Sequence, residues 1–166
     1  MKNVCVAALF GLSILGAVIL FSLGKAEAQN QSSLEAVQAQ FAGNYELVKF
    51  VSFRGNGEVV ENDSIGRLMY DTDGNMAAQA MPRDLPQRAR ETTENVRGGF
   101  AYFGKYVIDV EKNMVTHKVQ GSPTRGSWVG RDNLRYYEFT GDLLTLRLKN
   151  AEGRVTGALT WKRFPQ

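Results

Sequence analysis

The sequence predicts an all-β fold, an antiparallel barrel or sandwich of about eight or nine short strands behind a short N-terminal helix. Three observations carry that reading. From residue 44 onward, short segments rich in Val, Phe, Tyr and Thr follow one another. Each is closed by turn-forming residues such as Gly55-Asn56-Gly57 or Asp71-Thr72-Asp73-Gly74. Within the segments apolar and polar residues alternate, the period of a strand with one face buried.

The first 28 residues read differently from the rest. Lys2 precedes an apolar run from Val4 to Leu23, and Lys25-Ala26-Glu27-Ala28 follows. A short positive start, an apolar stretch and a small-x-small end is the pattern of a secretory signal peptide, with cleavage expected after Ala28. The alternative is an uncleaved membrane anchor, because the apolar run is nearly long enough to span a bilayer. Export to a periplasmic or extracellular space is therefore expected. Cleavage removes Lys2, Lys25 and Glu27, leaving 18 basic and 16 acidic residues and a net charge of about +2. Such a weak charge gives no reason to invoke nucleic acid or an anionic membrane. Cleavage also removes Cys5, the only cysteine. The remaining chain of about 138 residues must be held by a hydrophobic core, without disulfides. With one histidine and no cysteine, a Cys/His zinc site is excluded. No cofactor is called for.

Residues 29–33 read as a polar linker, and Ser33 as the cap of a short helix from Leu34 to Phe41, with Leu34, Val37 and Phe41 on one face. The barrel proper is expected over residues 41–166, with strands near 44–53, 57–61, 65–71, 75–81, 99–109, 114–121, 133–140, 143–149 and 154–163. One stretch does not fit a strand. Residues 82–98 carry Arg83, Arg88, Arg90 and Arg97 with three acids and two prolines. A loop this long in a compact barrel is uncommon, and is either functional or a solvated excursion.

Alternation and tight turns together fix register. A turn at 110–113 places Ile108 opposite Val115, Tyr106 opposite His117 and Gly104 opposite Val119. The inner face of this hairpin then holds Tyr102, Tyr106, Ile108, Val115, His117 and Val119. A turn at Gly141-Asp142 pairs Phe139 with Leu144 and Tyr137 with Leu146, and turns Arg135 inward beside Leu148. In the last strand Val155, Leu159, Trp161 and Arg163 share a face. Three ionisable residues, His117, Arg135 and Arg163, thus point inward. A lone charge in an apolar core costs several kcal/mol unless paired or hydrated. Arg163 is expected to close one end, Arg135 to line a mouth, and Tyr106 to be the hydrogen-bond partner that lets His117 sit between two valines.

These residues resemble those of the bacterial and fungal lipocalin-like domain family. The likeness runs through Phe41-Ala42-Gly43-Asn44-Tyr45-Glu46-Leu47-Val48, where Tyr45 stands for the tryptophan of the family's Gly-x-Trp opening. It continues through Gly66 to Met76, with Arg83 following, through Tyr102 to His117, through Arg135 to Leu146, and ends in Trp161-Lys162-Arg163. The resemblance implies a calycin-type barrel with the first strand's aromatic packed near the final arginine. It implies no particular reaction.

A barrel of about eight strands holds at most one small ligand. The principal expectation is a binding module for a small hydrophobic or amphipathic molecule, anionic ones included. Its candidate ligand-binding residues are Tyr70, Arg83, Tyr102, Tyr106, His117, Arg135 and Tyr137. Two alternatives use His117, as the proton shuttle of an isomerase or cyclase or as an axial haem ligand. No nucleophile–base–orienter set is visible, and no residue is assigned a catalytic role. A histidine on an apolar face is more often a hydrogen-bonded core residue than a tool. The sequence does not determine oligomeric state.

Overall fold

The computed structural model describes residues 29, 31, 33–85 and 98–165. The expected leader, 1–28, and Arg88, Arg90 and Arg97 of the polar excursion lie outside the described residues. The chain divides into two compact units, Met1–Ala36 and Val37–Gln166.

Residues 33–41 are helical, and so are residues 29 and 31. The helix therefore begins before Ser33, which lies within it rather than capping it. The polar run expected to be a linker is helix-competent. Gln31 donates from Nε2 to Glu35 Oε1 at 2.9 Å, one turn on, and the Gln, Glu and Ala content supports propagation.

In the second unit nine strands follow: β1 (Gly43–Phe53), β2 (Val59–Glu61), β3 (Ser64–Tyr70), β4 (Asn75–Pro82), β5 (Phe100–Asp109), β6 (Met114–Gly121), β7 (Asp132–Thr140), β8 (Leu143–Lys149) and β9 (Val155–Arg163). All pair antiparallel in the order β2-β1-β3-β4-β5-β6-β7-β8-β9, and β1 also pairs with β9. Strands β1 and β3–β9 thus close an eight-stranded barrel, and β2 is an extra strand on the far half of β1. The closing seam runs from Tyr45↔Arg163 to Ser52↔Gly157, with an irregularity between Leu47 and Lys49. Asn62 braces the extra strand, donating from its amide to Ser52 Oγ at 2.9 Å.

The hairpin registers are those the alternation predicts: Ile108↔Val115, Tyr106↔His117 and Gly104↔Val119, and Phe139↔Leu144 and Tyr137↔Leu146. The inward set is buried, including Tyr102, Tyr106, Ile108, Val115, Val119, Leu144, Leu146, Leu159 and Trp161. At the helix end of the barrel the fully buried Phe41 acts as a plug. Its ring packs edge-on against Tyr70, Tyr137 and Phe139 at centroid distances of 5.1, 5.0 and 5.1 Å. Edge-to-face geometry of this kind adds to the area term.

Arg163 ties that end shut. Its Nη1 donates to Ala42 O at 2.7 Å and its Nη2 donates to Tyr45 Oη at 2.7 Å and to Gln40 O. Its guanidinium carbon lies 5.0 Å from the Tyr45 ring centre. The helix leaves its last carbonyls without intrahelical donors, and Arg163 supplies donors to them. The Tyr45 hydroxyl is held protonated, its pKa pushed up to about 12 by burial against the opposing pull of Arg163. It also bonds Phe41 O at 3.0 Å. Tyr45 thus makes both a stacking contact and a hydrogen bond with Arg163.

Candidate functional site: a buried histidine beneath a small cavity

His117 lies in the middle of β6, is inaccessible to solvent, and is the one polar residue in the fully buried core among the described residues. Both ring nitrogens are engaged. The Tyr70 hydroxyl lies 2.6 Å from Nε2 and the Tyr102 hydroxyl 2.8 Å from Nδ1. Tyr106, opposite His117 in register, is not its partner. The Tyr106 hydroxyl donates instead to Asp71 O at 2.7 Å. The expected Tyr106–His117 bond is therefore corrected to a Tyr70–His117–Tyr102 chain. Register sets which Cα atoms oppose one another, while a tyrosine hydroxyl sits well away from its own Cα.

Burial, then the positive charge of Arg135, pushes the His117 pKa well below its ordinary 6.5. Burial raises the pKa of Tyr70 well above 10.0, and burial also raises that of Tyr102 against the charge and hydrogen bonding of Arg135. The chain is therefore three neutral groups at neutral pH.

Away from the Phe41 plug, the barrel interior opens into a cavity of about 150 Å³. Tyr102, His117 and Arg135 line it together, as the sequence led us to expect for the inward faces. Its apolar wall comes from Phe50, Leu68, Leu146, Leu148 and Leu159. Ala78, Phe100, Arg125, Trp128 and Trp161 complete it. Trp128 sits in a single 3₁₀ turn, Gly126–Trp128, between β6 and β7. Its ring packs on Tyr102 at 5.4 Å and on Phe100 at 6.3 Å, with the Arg125 guanidinium 5.4 Å from its centre. The Trp161 indole N–H, in the cavity wall, is buried and has no hydrogen-bond partner among the described residues.

The other candidates lie elsewhere. Tyr70 stands behind His117, packed edge-on against Phe41 and Tyr106. Tyr106 and Tyr137 belong to the aromatic plug, and the buried Tyr137 hydroxyl has no partner among the described residues. Arg83 is on the surface, where it pairs with Asp63 at 2.9 Å. It borders a larger recess of about 630 Å³ along β3 and β4, which contains neither His117 nor Arg135. The interior cavity, though smaller, is the better candidate because an apolar wall and a few fixed polar side chains, Tyr102, His117 and Arg135 among them, meet there. Trp161 was legible as inward-facing but not as a site residue. Nothing in the sequence around Arg125 and Trp128 signalled that this turn caps the cavity, since a loop has no period.

A closed antiparallel barrel with one internal cavity and a few fixed polar groups is the architecture of a calycin-type protein. The chain belongs to the family described as the lipocalin-like domain, which matches residues 42–164. Among solved structures it is similar to a lipocalin-like protein from Bacteroides uniformis. Identity is 15%, the match covers 75% of this chain and 99% of that one, and the TM-score is 0.46. It is also similar to an uncharacterized protein from Bacteroides eggerthii, with 12% identity, the same coverages of 75% and 99%, and a TM-score of 0.41. No curated protein matches the chain.

Proposed function

We propose that this lipocalin-like barrel is an exported binding protein whose interior takes one small hydrophobic or amphipathic molecule. The observation that carries the proposal is the cavity of about 150 Å³, apolar in most of its wall yet lined as well by Tyr102, His117, Arg125 and Arg135. The reading is favoured over catalysis and haem ligation by the state of His117. Both of its nitrogens are already bonded to tyrosines. To accept a proton from a substrate or to ligate iron, the ring would have to give up one of those bonds. Export rests on residues 1–28.

Native mass spectrometry of the protein purified from its own host tests the binding reading. A bound small molecule, released on denaturation and displaced when Leu146→Trp fills the cavity, is the expected result. A mature N-terminus at Gln29 in the same spectra is the expected result for export. An intact residue 1 on protein taken from the cell envelope would support the anchor instead.

A further inference from the structure

Hydrogen-bond accounting along the Tyr70–His117–Tyr102 chain determines which way its protons point. A neutral imidazole has one N–H and one lone pair. One tyrosine must therefore donate to His117 and the other must accept from it. Tyr70 is buried among Phe41, Tyr45 and Tyr106, and its hydroxyl has no other hydrogen-bond partner among the described residues. If Tyr70 accepted from Nε2–H, its own proton would be left unbonded in an apolar surround, at a cost of about 1–3 kcal/mol. Tyr70 therefore donates to Nε2, the ring proton sits on Nδ1, and Nδ1–H donates to Tyr102. The Tyr102 proton is then the one left over, and Tyr102 lines the cavity. Its neighbour Arg135 has only donors to offer and does not consume it.

Among the described residues the polar side chains lining the cavity accordingly offer donors: the Tyr102 O–H and the guanidinium groups of Arg125 and of Arg135, whose Nη1 also donates to Leu134 O at 2.8 Å. Among the described residues no carboxylate, amide or aliphatic hydroxyl side chain lines it, and the one acceptor nitrogen of His117 is occupied by Tyr70. Neither Arg125 nor Arg135 has a carboxylate within ion-pair distance among the described residues. A wall with donors and net positive charge but no acceptor fits a ligand with acceptors and negative charge.

We infer that the cavity is built for the anion of a compact carboxylic acid, with its apolar body against Phe50, Leu146 and Leu159 and its oxygens toward Tyr102 and Arg135. The size limits the class. A cavity near 150 Å³ holds roughly a benzene-sized body, so the ligand is a single-ring or short branched acid and not a long-chain fatty acid. His117 is a positioning residue in this assignment: through its tautomer it aims the Tyr102 proton at the ligand. This deepens the binding reading and rests on it.

The test is calorimetric titration of the protein, purified as its cell processes it, with benzoate, benzyl alcohol and toluene as probes at neutral pH. Benzoate is expected to bind at least about tenfold more tightly than either neutral probe, the scale of one charge-assisted hydrogen bond. Arg135→Gln is expected to abolish most of that advantage. Tyr102→Phe is expected to weaken benzoate several-fold and leave toluene unchanged. Toluene binding as tightly as benzoate would overturn the anion assignment and leave the binding module standing. No binding of any probe would remove both. Independently of variants, long-range ¹H–¹⁵N spectra of the single histidine are expected to show the Nδ1–H tautomer. An Nε2–H tautomer would overturn the donor assignment of Tyr102.

Discussion

The Tyr70 hydroxyl lies 2.6 Å from His117 Nε2, joining residues 47 apart in sequence across the barrel interior. Their strands, β3 and β6, are not neighbours in the sheet, so this bond is a strut between opposite walls. Removing the hydroxyl leaves a buried ring nitrogen unsatisfied. Tyr70→Phe is expected to lower unfolding stability by about 1–3 kcal/mol, read from the urea midpoint at unchanged slope. Tyr137→Phe is the contrasting case. Its hydroxyl is buried without a partner among the described residues, so its loss is expected to be neutral or stabilising. Equal losses in the two variants would contradict the assignment of Tyr70 as a working donor.

Stability is expected to depend on pH through His117. Its folded pKa is held well below 6.5, by burial first and by Arg135 second, while the unfolded side chain titrates near 6.5. Between those values the unfolded chain binds a proton that the folded chain refuses. Stability is therefore complete above about pH 6.5 and declines as pH falls below it, with a limiting slope of about 1.4 kcal/mol per pH unit. Hydrogen bonds from Asn75 and Lys112 hold the Asp71 and Asp109 carboxyls below the ordinary 3.8. They act in the same direction but only at more acid pH. Thermal unfolding from about pH 8 to about pH 5 should show a flat Tm that bends downward near 6.5, and His117→Asn should remove the bend. A flat wild-type profile would rule out a buried neutral histidine.

Arg163 spans three elements, bonding Gln40 and Ala42 at the helix end and Tyr45 on β1. Arg163→Met keeps much of the side-chain volume but removes all of these donors. It is expected to cost about 2–3 kcal/mol, as for hydrogen bonds made by a charged group. Arg163→Lys is expected to recover only part of this, because an ammonium cannot reproduce the planar fork. Full recovery with lysine would mean that charge, not geometry, closes this end.

At Gly104 the backbone of β6 lies close against β5. A Cβ there would overlap the Lys118 carbonyl oxygen and stand 2.9 Å from the Gln120 nitrogen. Gly104→Ala is expected to disrupt the hairpin, with a loss of folded protein or of several kcal/mol in denaturant titration. Gly126→Ala, where nothing lies within 4 Å, is expected to leave stability within about 0.5 kcal/mol.

Much of the fold was legible because a strand's alternation is local. Val115, His117 and Val119 point the same way whatever the rest of the chain does, and a short turn at 110–113 leaves one register open to Tyr106 and Ile108. The start of the helix was misplaced because Ser33 has a capping side chain but no neighbour that stops helix propagation. Arg163 was legible as a closing residue from its place at the end of β9. Arg83 looked like Arg135 in composition terms alone, yet it forms a surface pair with Asp63.

The sequence by itself determined that this protein is an antiparallel β fold, barrel or sandwich, which faces are inside, and that a histidine and two arginines lie among them. Period-two alternation and turn chemistry are properties of neighbouring residues, and they suffice for that. Only the tertiary structure decided that His117 bonds Tyr70 and Tyr102 rather than Tyr106, and that Arg135, Trp161 and Trp128 meet around one cavity. Those contacts cross the barrel between strands far apart in sequence. They depend on closure, on height along the axis and on side-chain reach, none of which is written in any local pattern.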